Sequence, residues 1–147
     1  MTIHKRSGIT KLDPLVGHWR SEGEVLATST TPLIRINGTD TYEWVCDGKF
    51  LLHKVDVSMG CEKVAVIEMI GYDPEAGNYP MRSFDNQGAF TTMYSTVDEN
   101  GVIRIQGDGI RSALTVSDDR KTMSALWERS ADGVRWHAWM NMRFTKE

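Results

Sequence analysis

The sequence has few of the features that are typical of metal-binding, membrane-spanning and nucleic-acid-binding proteins. Its 147 residues include two cysteines and four histidines, and none has the CxxC or Cys/His spacing of a metal site. No apolar run approaches the roughly 18 residues of a membrane-spanning helix. The 17 basic and 20 acidic residues are interspersed, so no basic stripe is available for a nucleic-acid backbone. We therefore expect no metal, no nucleic-acid partner and no membrane partner.

The cysteines and the amino terminus indicate a compartment. Cys46 and Cys61 are expected to be reduced thiols, since two cysteines make no disulfide framework. Residues 1–8 are basic, but no apolar segment of a secretory signal follows them. We therefore expect a cytoplasmic protein of one domain, residues 1–147, in which residues 1–15 are an amino-terminal tail and turn.

Turn signals, by contrast, are abundant. Asp47-Gly48, Asn100-Gly101 and Asp132-Gly133 supply the positive φ angles of tight hairpins, and several Gly-, Asn- and Asp-rich turns lie between them. The segments between successive turns are about eight to twelve residues long. They leave no room for crossover helices, so consecutive strands should pair as hairpins. The sequence predicts an all-β fold, an antiparallel up-and-down meander closed into a barrel of about ten strands. We place these strands near residues 17–25, 33–46, 50–57, 64–72, 79–85, 89–97, 101–107, 109–117, 121–130 and 134–145.

The first strand indicates which of its faces points inward. Charged and polar residues occupy alternate positions and must contact water. Trp19 therefore points inward, with Ser21 and glycines on the same face. Small inward residues leave space, which favours a cavity over a solid core.

The hairpin at Asp47-Gly48 predicts the register of the next strands. A two-residue loop places Tyr42 opposite His53, and carrying the register onward makes Glu68 a diagonal neighbour of His53. A buried carboxylate needs a partner or a ligand, whereas one at a wet barrel mouth needs only a hydrogen bond to His53. This predicted inward face holds Tyr42, Trp44, Leu51, His53, Val55, Val64, Val66, Glu68, Ile70, Tyr72, Tyr79 and Met81.

The last hairpin leaves two interpretations open. A two-residue loop at Asp132-Gly133 places Glu128 opposite His137, as an interior dyad or as an outer cross-strand ion pair. The same register puts Leu126 opposite Trp139, and Ser124 opposite Asn141. The other face is apolar and either lines a pocket or, if it points outward, predicts a homodimer interface. That apolar face holds Met123, Ala125, Trp127, Trp136, Met140, Met142 and Phe144.

The opening Gly17-x-Trp19 and the late Arg143 resemble the lipocalin and calycin barrels. That resemblance implies that Arg143 packs over Trp19 and closes one end of the barrel by a cation–π contact. Further motifs are similar to a family of uncharacterised bacterial calycin-like barrels, which implies ten strands, the option of a dimer and no settled activity. These motifs are Leu15-Val16-Gly17-x-Trp19, Glu43-Trp44 to Gly48-x-Phe50-Leu51, Gly71-Tyr72-Asp73, and Trp127-Glu128-x-Ser130-x-Asp132-Gly133-x-x-Trp136.

Three functions follow from these residues. The first is a barrel without a cofactor that binds a small hydrophobic or amphipathic molecule. The second is an enzyme that uses an interior His–Glu pair, with His137 and Glu128 as candidates. The third is a haem barrel with His137 as the axial ligand, because nitrobindin-like haem barrels share the Gly-x-Trp opening and a late histidine. For the first function, the candidate lining is Tyr42, Trp44, Tyr72, Tyr79, Met81 and Trp139, with His53, Glu68, Glu128 and His137 as polar anchors.

Overall fold

The computed structural model describes residues 8–147, so residues 1–7 of the predicted amino-terminal tail lie outside the described residues. A 3-10 helix, Ile9–Leu15, is followed by ten strands. The strands are β1 Gly17–Val25, β2 Ile34–Val45, β3 Phe50–Met59, β4 Glu62–Ile70, β5 Tyr79–Asp85, β6 Phe90–Val97, β7 Ile103–Gly107, β8 Ile110–Val116, β9 Thr122–Arg129 and β10 His137–Lys146.

Each strand pairs with its neighbours in sequence, and β10 pairs with β1 to close the barrel. All of these pairings are antiparallel, as close turns require. The predicted all-β up-and-down barrel of about ten strands is therefore confirmed. Strand bounds lie within about three residues of the predicted ones, which is the usual uncertainty of a strand end.

The 3-10 helix packs against the barrel end where β1 begins. Its side chains Ile9, Leu12 and Leu15 are buried in the core. The carbonyl oxygen of Leu15 accepts a hydrogen bond of 2.8 Å from Nε1 of Trp19, which is fully buried. The turn predicted at residues 12–15 is thus the end of this helix, and it anchors the inward tryptophan of β1.

The inward faces of β1 to β3 follow the alternation expected from the sequence. Trp19 and Ser21 point inward and are 0% exposed. Tyr42 pairs with His53 and Trp44 with Leu51, so the predicted β2–β3 register is confirmed. Cys46, Asp47 and Gly48 all adopt positive φ angles, and the turn between the paired residues Val45 and Phe50 is centred on Asp47-Gly48, as predicted.

The β3–β4 register differs from the prediction. Glu68 lies directly opposite His53, and Val66 lies opposite Val55. The strands continue to Met59 and Glu62, so the turn is centred on Gly60-Cys61, later than assumed. This shift brings the carboxylate of Glu68 closer to His53 than a diagonal position would.

The predicted register of the last hairpin is wrong. β9 ends at Arg129 and β10 begins only at His137, so Glu128 pairs with Ala138 and His137 with Arg129. The longer loop has its own hydrogen bonds, because Oδ1 of Asp132 accepts the backbone N–H groups of Val134 and Arg135, each at 2.8 Å. The predicted pairs Leu126–Trp139 and Ser124–Asn141 are likewise absent from the described ladder.

A register shift between Ala138 and Met140 decides which face of β10 points inward. Beyond the shift, Met140 pairs with Trp127 and Met142 with Ala125. Met140, Met142 and Phe144 are buried. The apolar face of β9 and β10 therefore lies inside, and its predicted outward alternative is wrong for these strands. Trp136, which precedes β10, instead packs against the guanidinium of Arg111, 4.2 Å from the centre of its ring.

The alternation of inward and outward side chains along β10 shows that the predicted contact between Arg143 and Trp19 is wrong. Arg143 is exposed and binds the carboxylate of Glu24 on the outer surface through both of its terminal nitrogens, at 3.0 and 2.6 Å. The cation over Trp19 is Lys146, whose Nζ lies 4.9 Å from the centre of the indole ring. Phe144 points inward, and adjacent residues in a strand face opposite sides, so Arg143 must face outward.

Because Met142 points inward and Asn141 lies on the opposite face of β10, we expect substitutions at these two positions to have unequal effects on stability. We expect Met142→Ala to lower the free energy of unfolding by about 2–5 kcal/mol because it removes buried side-chain atoms. Asn141→Ala, on the opposite face, should change it by less than about 0.5 kcal/mol. Urea unfolding followed by far-UV circular dichroism measures both, and equal losses would contradict the register.

Candidate functional site

The barrel contains a cavity of about 270 Å³ whose walls are mostly apolar. Leu12 and Leu15 of the 3-10 helix form part of its lining. Protein interiors rarely leave voids much larger than a water molecule, so space of this size in a core is unusual. Five methionines contribute to the wall: Met59, Met81, Met93, Met140 and Met142.

A cluster of charged side chains interrupts this apolar wall. Nε2 of His53 lies 2.6 Å from Oδ2 of Asp40, and Nδ1 lies 2.9 Å from Oε1 of Glu68. The hydroxyl of Ser21 donates a 2.5 Å hydrogen bond to Oδ1 of Asp40. The side chains of Asp40 and Glu68 are each 7% exposed, and that of His53 is 12% exposed. The cluster is therefore buried and joins four consecutive strands, β1 to β4.

Strand register positions each member of the cluster. His53 lies between Tyr42 on one side and Glu68 on the other, since all three share one row across β2, β3 and β4. The ring of Tyr42 stacks on His53 with centroids 4.0 Å apart and planes 7° from parallel. Asp40, two residues before Tyr42, shares its face and reaches the second nitrogen of His53.

Gly38 allows β2 and β3 to approach closely beside the cluster. It has a φ angle of 155°, and a Cβ at this position would overlap the backbone oxygen of Asp56. A larger residue would push β3 away from β2 next to the Asp40–His53 hydrogen bond. The glycine thus contributes to the geometry of the site through the backbone alone.

His53 carries a positive charge at neutral pH. Burial by itself would lower its pKa, but the hydrogen bonds and negative charges of Asp40 and Glu68 outweigh that effect and raise the pKa to about 9. As an imidazolium, His53 donates a hydrogen bond from each nitrogen. Burial, with the charges of the same two carboxylates, raises the pKa of Tyr42 well above its ordinary value, so this phenol is neutral.

One acceptor in the cluster is unused. Both oxygens of Asp40 and both nitrogens of His53 have partners, as does Oε1 of Glu68. Oε2 of Glu68 has no hydrogen-bond donor among residues 8–147, and it is not a sealed buried atom. Because Glu68 lines the cavity, this oxygen can accept a hydrogen bond from a molecule inside.

The predicted lining divides between the cavity and the closed end of the barrel. Tyr42, His53, Glu68 and Met81 line the cavity, whereas Trp44, Tyr72 and Tyr79 do not. Tyr79 is buried beneath the chain entering the 3-10 helix, where its hydroxyl donates a 2.6 Å hydrogen bond to the carbonyl oxygen of Gly8. The ring of Tyr72 packs against that of Tyr79 at 5.0 Å. These two tyrosines stabilise the closed end and do not border the cavity.

The predicted anchors in the last hairpin lie outside the cavity lining. Glu128 accepts a 2.8 Å hydrogen bond from Nε of Arg111, and His137 is exposed. The guanidinium of Arg129 lies 3.6 Å from the ring centre of Trp139. The predicted interior Glu128–His137 dyad is therefore wrong, and its reason is the longer β9–β10 loop.

Sequence reasoning missed Asp40 and Ser21 as partners of His53. A signal for Asp40 exists, because it falls in the same alternation as Tyr42, starting at Ile36. An inward carboxylate two residues before the position opposite His53 is a candidate partner. Ser21 was expected to point inward, but its bond to Asp40 depends on the pairing of β1 with β2.

The remaining candidate features are metal clusters, free thiols and membrane-spanning helices. Among residues 8–147, no group of three or more His, Cys, Asp and Glu side chains is arranged to hold a metal ion. Cys46 and Cys61 are free and exposed. No helix in the described part of the chain combines the length and apolarity of a membrane span.

Comparisons with known proteins identify a family and two similar folds. Residues 9–109 match the family described as "Protein of unknown function (DUF1579)". No curated protein shows a significant sequence match to the chain. Rv2717c from M. tuberculosis is similar in structure, with a TM-score of 0.70, 13% identity, and coverage of 96% of this chain and 98% of that one. An S-type phycobiliprotein lyase, CPES from Guillardia theta, gives a TM-score of 0.60, 11% identity, and coverage of 92% and 90%.

The charged cluster predicts how stability depends on pH. A histidine whose pKa is about 9 when folded and about 6.5 when unfolded stabilises the protein below pH 6.5, and this contribution disappears as the pH rises through 9. We expect the free energy of unfolding to fall by about 3 kcal/mol across this interval. Urea unfolding at a series of pH values measures the change.

Two substitutions and one spectrum test the assignment to His53. His53→Gln should remove this pH dependence, while His18→Gln, at an exposed position, should leave it unchanged. Heteronuclear NMR of the imidazole should show that His53 titrates near pH 9. A titration near 6.5 would contradict the two-carboxylate environment.

Proposed function

We propose that this chain, which belongs to the DUF1579 family of proteins of unknown function, binds a small amphipathic molecule in its interior cavity. The family supplies no activity, so the proposal depends on the geometry of the chain's own residues. The observation that carries it is a buried charged cluster with a free acceptor, Oε2 of Glu68, in a mostly apolar cavity. Ligand sites typically combine a mostly apolar wall with a few polar groups that fix the orientation of the ligand.

The volume of the cavity sets the size of the ligand. An engineered cavity of about 150 Å³ accommodates benzene. The present cavity, at about 270 Å³, is nearly twice that size and close to the lower limit for small-molecule sites. By this proportion we expect a ligand of roughly ten non-hydrogen atoms. This is much smaller than a haem or a bilin.

The two parts of the wall suit the two ends of an amphipathic molecule. The methionines are flexible and polarisable, so they can pack against apolar tails of different shapes. The polar end is rigid, because His53 is held by two carboxylates and by the ring of Tyr42. A preorganised polar group loses little conformational entropy when a ligand binds.

An enzyme is the second candidate function. The lyase from Guillardia theta is an enzyme on a similar barrel, but at 11% identity the likeness shows the fold alone. A His–Glu pair does lie in the interior, as His53 and Glu68, instead of the predicted His137 and Glu128. Because both nitrogens of His53 are protonated and hydrogen-bonded, it has no free position to accept a proton. Only Glu68 would be available as a base, so the geometry favours binding.

The haem alternative has no supporting contact among the described residues. His137 is exposed and pairs with Arg129 outside the cavity lining. Among the described residues, His53 is the histidine that lines the cavity, and it uses both nitrogens for carboxylates. A ring nitrogen must be free to ligate iron, so these residues do not fit a haem inside the cavity.

The predicted partners and location have unequal support. The argument for a homodimer used an outward apolar face on the last hairpin, and that face lines the cavity instead. The free, exposed thiols of Cys46 and Cys61 support the expected cytoplasmic location, because such thiols persist in reducing compartments. The relationship to calycins and the bacterial origin stay predictions.

Filling the cavity tests the binding function. We expect n-octanol, which matches the size and amphipathic character of the site, to bind to the wild-type protein. Ala125→Phe places a ring in the cavity and should weaken binding by at least about tenfold, which corresponds to 1.4 kcal/mol. Ala113→Phe is the matched control, because Ala113 is the neighbour of inward Leu114 and is absent from the cavity lining.

Isothermal titration calorimetry gives the dissociation constants, and circular dichroism confirms that each variant is folded. Equal binding by wild type and Ala125→Phe would place the molecule elsewhere on the protein and contradict an interior site.

A further inference from the structure

The polar groups of the cavity specify what kind of head group can bind. Every donor of His53 is already used by a carboxylate, so the cluster offers no N–H group to a ligand. Oε2 of Glu68 offers only a lone pair, since an ionised carboxylate accepts and does not donate. A ligand that completes this cluster must therefore bring the hydrogen-bond donor.

The balance of charge specifies the head group further. The cluster combines one imidazolium with two carboxylates, which leaves one negative charge without a partner. None of the residues lining the cavity is Lys or Arg. An unpaired charge in an apolar cavity is unfavourable, whereas a cation beside it would restore neutrality. A carboxylate ligand, such as a fatty acid, would add a second unpaired negative charge.

A second acceptor lies next to the first. Ser83 on β5 is directly opposite Glu68, and it also lines the cavity. Its hydroxyl has no hydrogen bond among the described residues, so its oxygen can accept one. An ammonium group has several N–H donors and can use both positions. An alcohol has one O–H donor, so it can donate to only one of them and would have to accept from the Ser83 hydroxyl to use the other.

From this arrangement we propose that the ligand is an organic ammonium: a primary or secondary amine on an apolar tail, whose N–H groups donate to Glu68 and Ser83. The inference rests on the binding function proposed above and names the chemical class of its ligand. The apolar tail, of roughly ten atoms or fewer, packs among the cavity methionines. Both an ammonium and an alcohol can donate to the Glu68 carboxylate, but only the ammonium also adds the attraction between opposite charges, which favours it over an alcohol of equal length.

Three probes with the same tail and different head groups test the proposal. Calorimetry at pH 7 compares n-octylammonium, n-octanol and n-octanoate on the wild-type protein. We expect n-octylammonium to bind at least about tenfold more tightly than n-octanol, and n-octanoate to bind more weakly than either. The Ala125→Phe variant distinguishes binding inside the cavity from binding of the ammonium to surface carboxylates. Binding to surface carboxylates would survive when the cavity is filled.

Two matched glutamate variants locate the selectivity. Glu68→Gln keeps the shape of the side chain but removes its charge, so the preference for n-octylammonium over n-octanol should fall to about twofold or less. Glu43→Gln removes a charge from an exposed position on β2 and should leave the preference unchanged. If Glu68→Gln does not fold, Ser83→Ala and the wild-type ranking of the three probes still decide the question. Ser83→Ala should weaken the ammonium more than the alcohol.

The outcomes separate this inference from the binding function. If n-octanol or n-octanoate binds inside the cavity as tightly as n-octylammonium, the ligand class is wrong and the binding function stands. If none of the three binds, or if binding persists in Ala125→Phe, the interior binding function is itself overturned. A tenfold ammonium preference that depends on both Glu68 and an open cavity supports the proposal.

Discussion

The structure of the site depends on one interaction, an imidazolium held between two buried carboxylates. Asp40, His53 and Glu68 come from three neighbouring strands, and the two carboxylates keep His53 positively charged inside the barrel. Removing His53 would leave two buried carboxylates without their positive partner, and breaking such a buried ion pair costs about 3–5 kcal/mol. The cluster thus couples the register of β2, β3 and β4 to the chemistry of the cavity. The rest of the wall is mostly apolar, and its charged groups all belong to this cluster.

The closed barrel makes this cluster stable and accessible to a small molecule at once. The 3-10 helix and the packed rings of Tyr72 and Tyr79 fill one end of the barrel, and the cavity borders the helix at Leu12 and Leu15. The cavity is therefore bounded by strands that are hydrogen-bonded on both sides, with no free sheet edge. The rigid backbone holds the carboxylates, and the methionines provide the adaptable part of the wall.

Much of the fold and about half of the site follow from local sequence. The alternation of β1 predicted that Trp19 and Ser21 point inward, and the tight turn at Asp47-Gly48 predicted that Tyr42 pairs with His53. The errors have local causes too. The loop after β9 looked like a two-residue hairpin, but the side chain of Asp132 stabilises a longer loop, which moved Glu128 away from His137. A single register shift in β10 then placed Arg143 outside and Met142 inside.

The sequence alone was sufficient for the architecture, because turn chemistry and the two-residue period of a strand act over a few neighbouring residues. Only the tertiary structure revealed the charged cluster, its net negative charge and the free oxygen of Glu68. Asp40 and His53 are adjacent only when β2 and β3 pair, and Glu68 joins them only through the turn at Gly60-Cys61. Burial strengthens each hydrogen bond of the cluster and makes an unpaired polar group more costly. Burial results from the closure of the barrel and not from any one strand.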